Sequence, residues 1–255
     1  ASLELRPALT LLACAIVLAP PASAGKTYLS AGIEFSRGDY GEPTSTDSIY
    51  SFAGIRHVEG PWSFRATIPF LWSSGPASVP GDDGDVFGTG LGDQTASGLG
   101  DLSLGVARAF TLEEDDLYLD IAGRLRFPTG DEDKGFSTGA LDGSLTATLT
   151  KVWDAFEAYV EVGRRFNGDH AGFHRADGWT ISAGGAYTTE DKLEFGASLD
   201  WREATVDFVQ DPVELYAYVA FPVDDRVRLT GYMTTGVSGD AADYSVGISA
   251  SWRIN

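Results

Sequence analysis

The sequence has little cysteine, few cations and no long apolar run. Among 255 residues there is a single cysteine, Cys14, and 18 Lys plus Arg face 37 Asp plus Glu, a formal net charge of -19. So acidic a chain is not expected to bind nucleic acid, because phosphate binding needs a basic surface. After the first 24 residues, no segment approaches the roughly 20 apolar residues of a membrane-spanning helix. A membrane β-barrel stays possible, because its strands need only about 9–11 residues each.

Residues 1–24 are predicted to be a secretory signal peptide. A lone arginine precedes an apolar run at 8–19, and Ala22-Ser23-Ala24 forms a small-residue cleavage site. The predicted organisation is therefore a signal peptide at 1–24 and one β-barrel domain at 25–255. Cleavage after residue 24 leaves a mature chain without cysteine, hence without disulfides or a thiol catalyst. The alternative is a lipoprotein cleaved before Cys14.

Alternation of apolar and polar residues dominates the chain from residue 25 onward, which is typical of strands with two unlike faces. The alternating segments are 26–36, 47–57, 62–72, 99–110, 117–127, 141–151, 156–166, 178–188, 193–202, 212–221, 226–236 and 244–254. About twelve such strands would suit a bacterial single-chain barrel, whose strand number is even. In the second segment the parity is ambiguous, because Ile49 and Ile55 share one face while Tyr50 and Phe52 share the other.

The connections between these segments alternate in length. Those after odd-numbered segments are mostly long and polar, whereas those after even-numbered segments are short, as in barrels with extracellular loops and periplasmic turns. The predicted fold is therefore all-β, an antiparallel transmembrane β-barrel of about 12 strands. A soluble β-sandwich also has alternating strands, but it has no reason to alternate its loop lengths so regularly. Aromatic residues near the segment ends further predict two interfacial girdles.

Charged residues concentrate at the strand positions that alternate with the apolar ones, which predicts a polar interior. A mid-depth arginine or lysine on the lipid face would cost about 2–4 kcal/mol. The predicted lumen-lining residues are Arg65, Asp120, Arg124, Arg126, Glu157, Glu161, Arg165, Asp200, Arg202, Glu214 and Arg228, with Arg226 and Glu194 on the same parity. Arg108 and Arg164 fall on the outward parity near strand ends, where long side chains can snorkel. A wet lumen and a lumen packed with salt bridges are both compatible with this pattern.

Two glycine-rich stretches carry a resemblance to a known family. They are Gly98-Leu99-Gly100-Asp101-Leu102 and Phe127-Pro128-Thr129-Gly130-Asp131, the second followed by Gly139. With Ile68-Pro69-Phe70 upstream, the chain resembles the family of outer-membrane proteins associated with the meta-cleavage pathway of phenol degradation. The resemblance implies a small barrel that acts as a transporter or channel. The family-motif residues are Gly98, Gly100, Asp101, Pro128, Thr129, Gly130, Asp131 and Gly139, whose residue types shape and cap loop ends.

Catalytic and metal sites find little support in the sequence. The histidines are His57, His170 and His174, and polar loop residues explain them better than a catalytic base does. The acidic run Gly81-Asp82-Asp83-Gly84-Asp85 could hold Ca²⁺, but it does not match an EF-hand loop. No catalytic residue, cofactor or metal is therefore expected.

The expected function is passive uptake of small solutes, aromatic or anionic ones among them, through the outer membrane of a Gram-negative bacterium. The alternatives are a non-transporting structural or surface-interaction barrel and a barrel hydrolase. The expected partners are outer-membrane lipid and lipopolysaccharide, a small-molecule solute, and the barrel-insertion machinery during biogenesis.

The loop lengths make a testable prediction of orientation. A cysteine introduced as Asp83→Cys should be labelled by a membrane-impermeant maleimide on intact cells, because long loops lie outside. Asp224→Cys, in a short turn, should be labelled only after the outer membrane is opened. Labelling of intact cells at position 224 but not at 83 would reverse the orientation.

Overall fold

The computed structural model describes residues 25–40, 43–78, 87–88, 94–113, 116–169, 175–206, 210–238 and 241–255. The predicted signal peptide, the acidic run at 81–85, His170 and His174 lie outside these residues.

Strands account for most of the described chain. They are β1 (Lys26–Gly38), β2 (Thr46–Glu59), β3 (Trp62–Gly75), β4 (Ala77–Ser78), β5 (Phe87–Gly88), β6 (Gln94–Leu99), β7 (Leu102–Glu113), β8 (Leu117–Phe127), β9 (Asp142–Trp153), β10 (Phe156–Phe166), β11 (Gly178–Thr188), β12 (Glu194–Arg202), β13 (Val213–Pro222), β14 (Val227–Gly236) and β15 (Tyr244–Arg253). One 3₁₀ turn spans Glu132–Lys134. Among the described residues, no helix is long and apolar enough to cross a membrane.

The sheet closes on itself. Each wall strand pairs antiparallel with its neighbours in the chain, β15 pairs with β1, and the β2–β3 pairing completes the ring. The short segments β6 and β7 both pair with β3, so together they form one wall strand, and the wall has twelve strands as predicted. Segments β4 and β5 form a separate two-residue ladder.

A β-bulge separates β6 from β7. Phe70 pairs with Leu99 and Thr67 with Ser103, so two residues of β3 lie opposite three residues at 100–102. A bulge of one residue changes the face of the sheet to which the following side chains point. As a result, Leu99 points outward while Asp101, two residues later, is buried inside the barrel at 2% exposure.

The outer face is apolar, as the alternation predicts. Large hydrophobic side chains such as Leu145 and Ile248, each 53% exposed, cover it. The ladder also settles the parity of β2, because Ile55 pairs with Leu29 and Ala66 on the outside. Tyr50 and Phe52 therefore face the interior.

Aromatic residues on the outer face form the two predicted belts at the strand ends. One belt contains Trp62, Phe110, Phe156, Phe221 and Trp252, and the other contains Trp72, Phe127, Phe166, Trp179, Trp201 and Tyr244. The outward arginines sit within them. Arg108 lies 5.2 Å from the Trp62 ring, and Arg164 lies 5.0 Å from the Trp179 ring. Stacking on these rings holds both cations at the edge of the apolar band.

The two ends of the barrel differ. The turn end carries the connections 60–61, 154–155, 189–193 and 223–226 and residue Asp116, together with the start of β1 and the end of β15. The loop end carries the connection 128–141 and the described residues 167–169 and 175–177. Loop 128–141 folds back over the barrel rather than away from it, as the contacts described below show.

A matched pair of alanines tests the two faces. Ala147, in the middle of β9, pairs with Ile121 and Val162 on the outer face, whereas Ala107 of β7 pairs with Ser63 and Ala122 inside. Ala147→Arg should lower the free energy of unfolding by about 2–4 kcal/mol in lipid vesicles, and Ala107→Arg by much less. Urea titrations of both variants measure this difference. Equal losses would mean that the assignment of faces is wrong.

Candidate solute path through the barrel

Paired residues on neighbouring strands face the same side, so the interior is organised in rows that cross the strands. One such row, the arginine row, consists of Arg253, Tyr28, Arg56, Arg65, Gly105, Arg124, Ser144, Arg165 and Gly178, each paired with the next. Because barrel strands are tilted and staggered, this row does not circle the barrel at one height.

The arginine row climbs from the turn end to the loop end. Arg56 and Arg65 each lie three residues from the turn-end limit of their strands. Arg124 lies farther up β8, and Arg165 is the last residue but one of β10. Five arginines therefore form a spiral of positive charge along the inner wall.

A second row carries the opposite charge. This acidic row consists of Ala109, Asp120, Thr148, Glu161, Ser182, Asp200, Glu214 and Gly236. Its carboxylates are held by hydroxyl groups: Thr148 donates to Glu161 at 2.6 Å, and Ser182 and Ser198 both donate to Asp200. The interior therefore carries stripes of opposite charge. On β8 and β10 the acidic row lies four residues closer to the turn end than the arginine row.

At the loop end, several arginines are neutralised by ion pairs. Asp142 accepts hydrogen bonds from Arg126 at 2.6 Å and from Arg175 at 2.5 Å. Arg202 lies 3.0 Å from Glu214. These pairs are buried, and the pair of Arg175 with Asp142 ties a loop residue to the wall. They also reduce the positive field that the sequence alone would suggest at this end.

All eleven predicted lumen-lining residues occupy inward-facing positions in the ladder, but they do not form one site. Arg126, Arg165, Arg202 and Glu214 lie near the loop end. Arg65, Glu157 and Arg228 lie near the turn end, and Arg228 is paired at 2.9 Å with Glu194. Asp200 lies two residues from the loop-end limit of β12, and Asp120 lies three residues from the turn-end limit of β8. Glu161 lies midway along β10, and Arg124 lies three residues from the loop-end limit of β8.

The sequence argument was wrong about Arg226, which is exposed in the turn before β14 rather than inside the barrel. It also missed two buried arginines, Arg56 and Arg175, which are 7% and 4% exposed. Arg56 could have been found from its place opposite Arg65 once the parity of β2 was known. Arg175 lies in a loop, where no periodicity could indicate it.

Solvent access inside the barrel is uneven. On β9 to β15 the inward side chains are largely buried, for example Thr148 at 1% and Glu161 at 2% exposure. On β1 to β3, β7 and β8 many are not: Glu34, Phe52, Ala107 and Arg124 are partly exposed, and Arg65 is exposed. This accessible wall, the inward face of β1–β3, β7 and β8, contains most of the arginine row. It is the part of the interior where a solute could pass.

Four of the inward aromatic rings lie against the wall. Tyr218 lies over Gly196, its direct partner on the neighbouring strand, and a Cβ on that glycine would come under 3.0 Å from the ring. Tyr232 covers Gly247 in the same way. The same arrangement joins Phe52 to Gly32 and Tyr159 to Gly184. Glycine lacks a side chain, so each ring can lie flat and leave room in the lumen.

The family-motif residues build a clamp at the loop end. Asp101 accepts a hydrogen bond from the Gly130 backbone N–H at 3.0 Å, and Thr129 Oγ1 accepts one from the Leu102 N–H at 2.9 Å. A Cβ on Gly130 would collide with the backbone of Phe136 and Gly100, and a Cβ on Gly100 would collide with the side chains of Leu71 and Pro69. The clamp folds loop 128–141 over the bulge and buries Phe136 at 2% exposure. In this structure the motif shapes the loop.

Charged groups outside the strands set the field at both ends. The pKa of Asp131 lies below its usual value, chiefly because Lys134 contacts the carboxylate at 2.8 Å. The pKa of Asp224 is also lowered, because the N–H groups of Arg226 and Val227 donate to it at 2.7 Å. Burial raises the pKa of Tyr40, in the first loop, to about 12. The two carboxylates therefore stay charged at neutral pH.

A closed twelve-stranded barrel with an apolar outer face, aromatic belts and a charged interior defines an integral outer-membrane β-barrel protein. The chain belongs to the family described as "Putative MetA-pathway of phenol degradation", whose model matches residues 39–254. No curated protein matches the sequence.

Several solved structures share this fold. An outer membrane channel from Pseudomonas putida F1 is similar with a TM-score of 0.71 and 14% identity, over 91% of this chain and 97% of that one. The NanC porin is similar with a TM-score of 0.58 and 8% identity, over 89% of this chain and 100% of that one. A KdgM porin in complex with disordered oligogalacturonate has a TM-score of 0.54 and 7% identity, over 91% and 100% of the two chains. At these identities the likeness concerns the fold.

The ring-on-glycine contacts predict how the lumen can be narrowed. Gly32→Ala should displace the Phe52 ring from the accessible wall toward the lumen, lowering single-channel conductance and costing about 1–3 kcal/mol of stability through overpacking. Gly231→Ala is the control, because a Cβ there meets nothing within 4 Å. Planar-bilayer recording and urea titration measure the two effects. Unchanged conductance in folded Gly32→Ala would show that the Phe52 ring does not border the path.

Proposed function

We propose that this protein is a passive outer-membrane channel for small solutes. The observation that carries the proposal is the accessible wall, along which inward side chains stay partly exposed while the rest of the interior is filled. The flat ring of Phe52 and the small residues Gly105, Ala107 and Ala109 keep this side of the lumen free. Membership of a family described by phenol degradation and the similarity to channels and porins support the same conclusion.

We further propose a preference for anionic solutes. The accessible wall carries Arg65, Arg124 and the buried Arg56, whereas the acidic row lies mainly on the filled side. Charge in a narrow lumen acts at short range, since screening extends over about 8–10 Å at physiological salt. The acidic loops at the loop end oppose entry, so the preference should be weak.

The filled sector β9–β15 favours one alternative, a barrel with a purely structural role. Its buried hydroxyls and ion pairs resemble a packed core more than a pore. A hydrolase has less support, because His57, the histidine within the described residues, contacts Thr27 at 3.0 Å near the turn end. We therefore propose no catalytic role for the described residues. The apolar outer face implies contact with membrane lipid, and we retain lipopolysaccharide and the insertion machinery as proposed partners.

Conductance measurements test the proposal. The purified barrel in a planar bilayer should conduct, with a reversal potential in a KCl gradient that indicates weak anion preference. The double variant Arg65→Glu with Arg124→Glu should shift the reversal potential toward cations. The control carries the same charge change on the outer face, Arg108→Glu with Arg164→Glu, and should stay near the wild type.

Absence of conductance from folded wild-type protein would contradict the channel and favour the structural barrel. An equal shift in the two double variants would mean that the accessible wall does not set selectivity.

A further inference from the structure

Arg56 is a buried cation with spare hydrogen-bonding capacity. It is 7% exposed, its guanidinium carbon lies 4.9 Å from the centre of the Tyr28 ring, and its Nη2 has no hydrogen-bond partner. Stacking on the ring stabilises the charge but satisfies no N–H, because a ring face offers only a weak acceptor. A buried guanidinium N–H without an acceptor is costly. The group therefore favours an acceptor supplied by something other than the wall.

A second arginine lies directly beside it. Arg65 pairs with Arg56 across the β2–β3 ladder, and it is exposed to the lumen. Directly opposed side chains have Cβ atoms about 4.5–5.5 Å apart, and like charges at this distance repel. The inward residues in the adjoining rows are Ser30, Gly54, Thr67, Lys26, Val58, Ser63 and Ala107. None of these side chains, nor Ser103 beside Thr67, is acidic.

The inward face of β2 adds an aromatic surface next to these cations. From the loop end toward the turn end it carries Tyr50, Phe52, Gly54 and Arg56. The rings of Tyr50 and Phe52 lie 5.9 Å apart, and Phe52 is held flat over Gly32. Phe52 and Arg56 are four residues apart, about 13 Å along a strand. The interval over Gly54 is bordered by the hydroxyls of Ser30 and Thr67.

We propose that Arg56 and Arg65 form a binding subsite for the carboxylate of a small aromatic acid, with its ring directed along β2 toward Phe52. The planar guanidinium fork matches a carboxylate with two parallel hydrogen bonds, and an anion between two arginines removes their repulsion. The subsite lies near the turn end of the accessible wall, where a solute entering from the loop end would arrive last. This inference rests on the proposed function for its biological sense, but its test does not require conduction.

Isothermal titration of the folded, detergent-solubilised barrel tests the subsite with sodium benzoate and sodium acetate as probes. Benzoate should bind more tightly than acetate. Arg56→Gln and Arg65→Gln should each weaken benzoate binding by about tenfold or more, since each removes a charge-assisted hydrogen bond. Phe52→Leu should lose the advantage of benzoate over acetate and keep acetate binding. Arg226→Gln, exposed in a turn at the same end, is the control and should bind as the wild type.

Heat-modifiable migration on gels shows whether each variant is folded. If Arg56→Gln does not fold, Arg56→Lys replaces it, and losing the planar fork while keeping the charge should still weaken benzoate binding. Unchanged benzoate affinity in folded Arg56→Gln or Arg56→Lys would overturn the subsite. Equal affinity for acetate and benzoate in the wild type would overturn the aromatic part of the proposal. Binding without conductance would keep the subsite and refute the channel, so the two failures are distinguishable.

Discussion

Pairing of β1 with β15 is the contact on which the rest of the structure depends. In a bilayer no water is available for free N–H and C=O groups, so a sheet can span only if its last strand satisfies its first. The ladder from Tyr28 paired with Arg253 to Arg37 paired with Tyr244 provides this closure over ten residue pairs. Once the ring is closed, each residue has a fixed face, and a slip of one residue would turn every apolar side chain into the lumen.

Closure also organises the chemistry of the interior. Because strands in a barrel are tilted, a row of paired residues climbs the wall, and one row collects arginines while another collects carboxylates. The arginine row and the acidic row have different surroundings. The acidic row lies among hydroxyls and filled space, whereas the part of the arginine row near β2 and β3 faces the accessible wall. The striped interior thus places cations where solutes can pass and buries most acids away from the path.

Much of this architecture could be predicted from the sequence, because a two-residue period and alternating loop lengths are local properties. Strand number, outward parity and the aromatic belts follow from them. The parity of β2 did not follow from them, because Ile49 and Tyr50 indicate opposite faces for the strand. Arg56 was missed for the same reason. The ion pairs of Arg126 and Arg175 with Asp142 depend on loop folding. The accessible wall depends on how rings pack over glycines across strands, a tertiary property that one-dimensional periodicity does not contain.

The central claim is that solutes pass along the accessible wall and not through the filled sector. Modification of single cysteines during bilayer recording tests it most directly, with a small anionic methanethiosulfonate reagent. The sequence has one native cysteine, Cys14, within the predicted signal peptide. Reaction at Ala107→Cys should reduce conductance, while Thr148→Cys, at a site only 1% exposed, should not react. Reaction and block at position 148, with none at position 107, would contradict the proposed path.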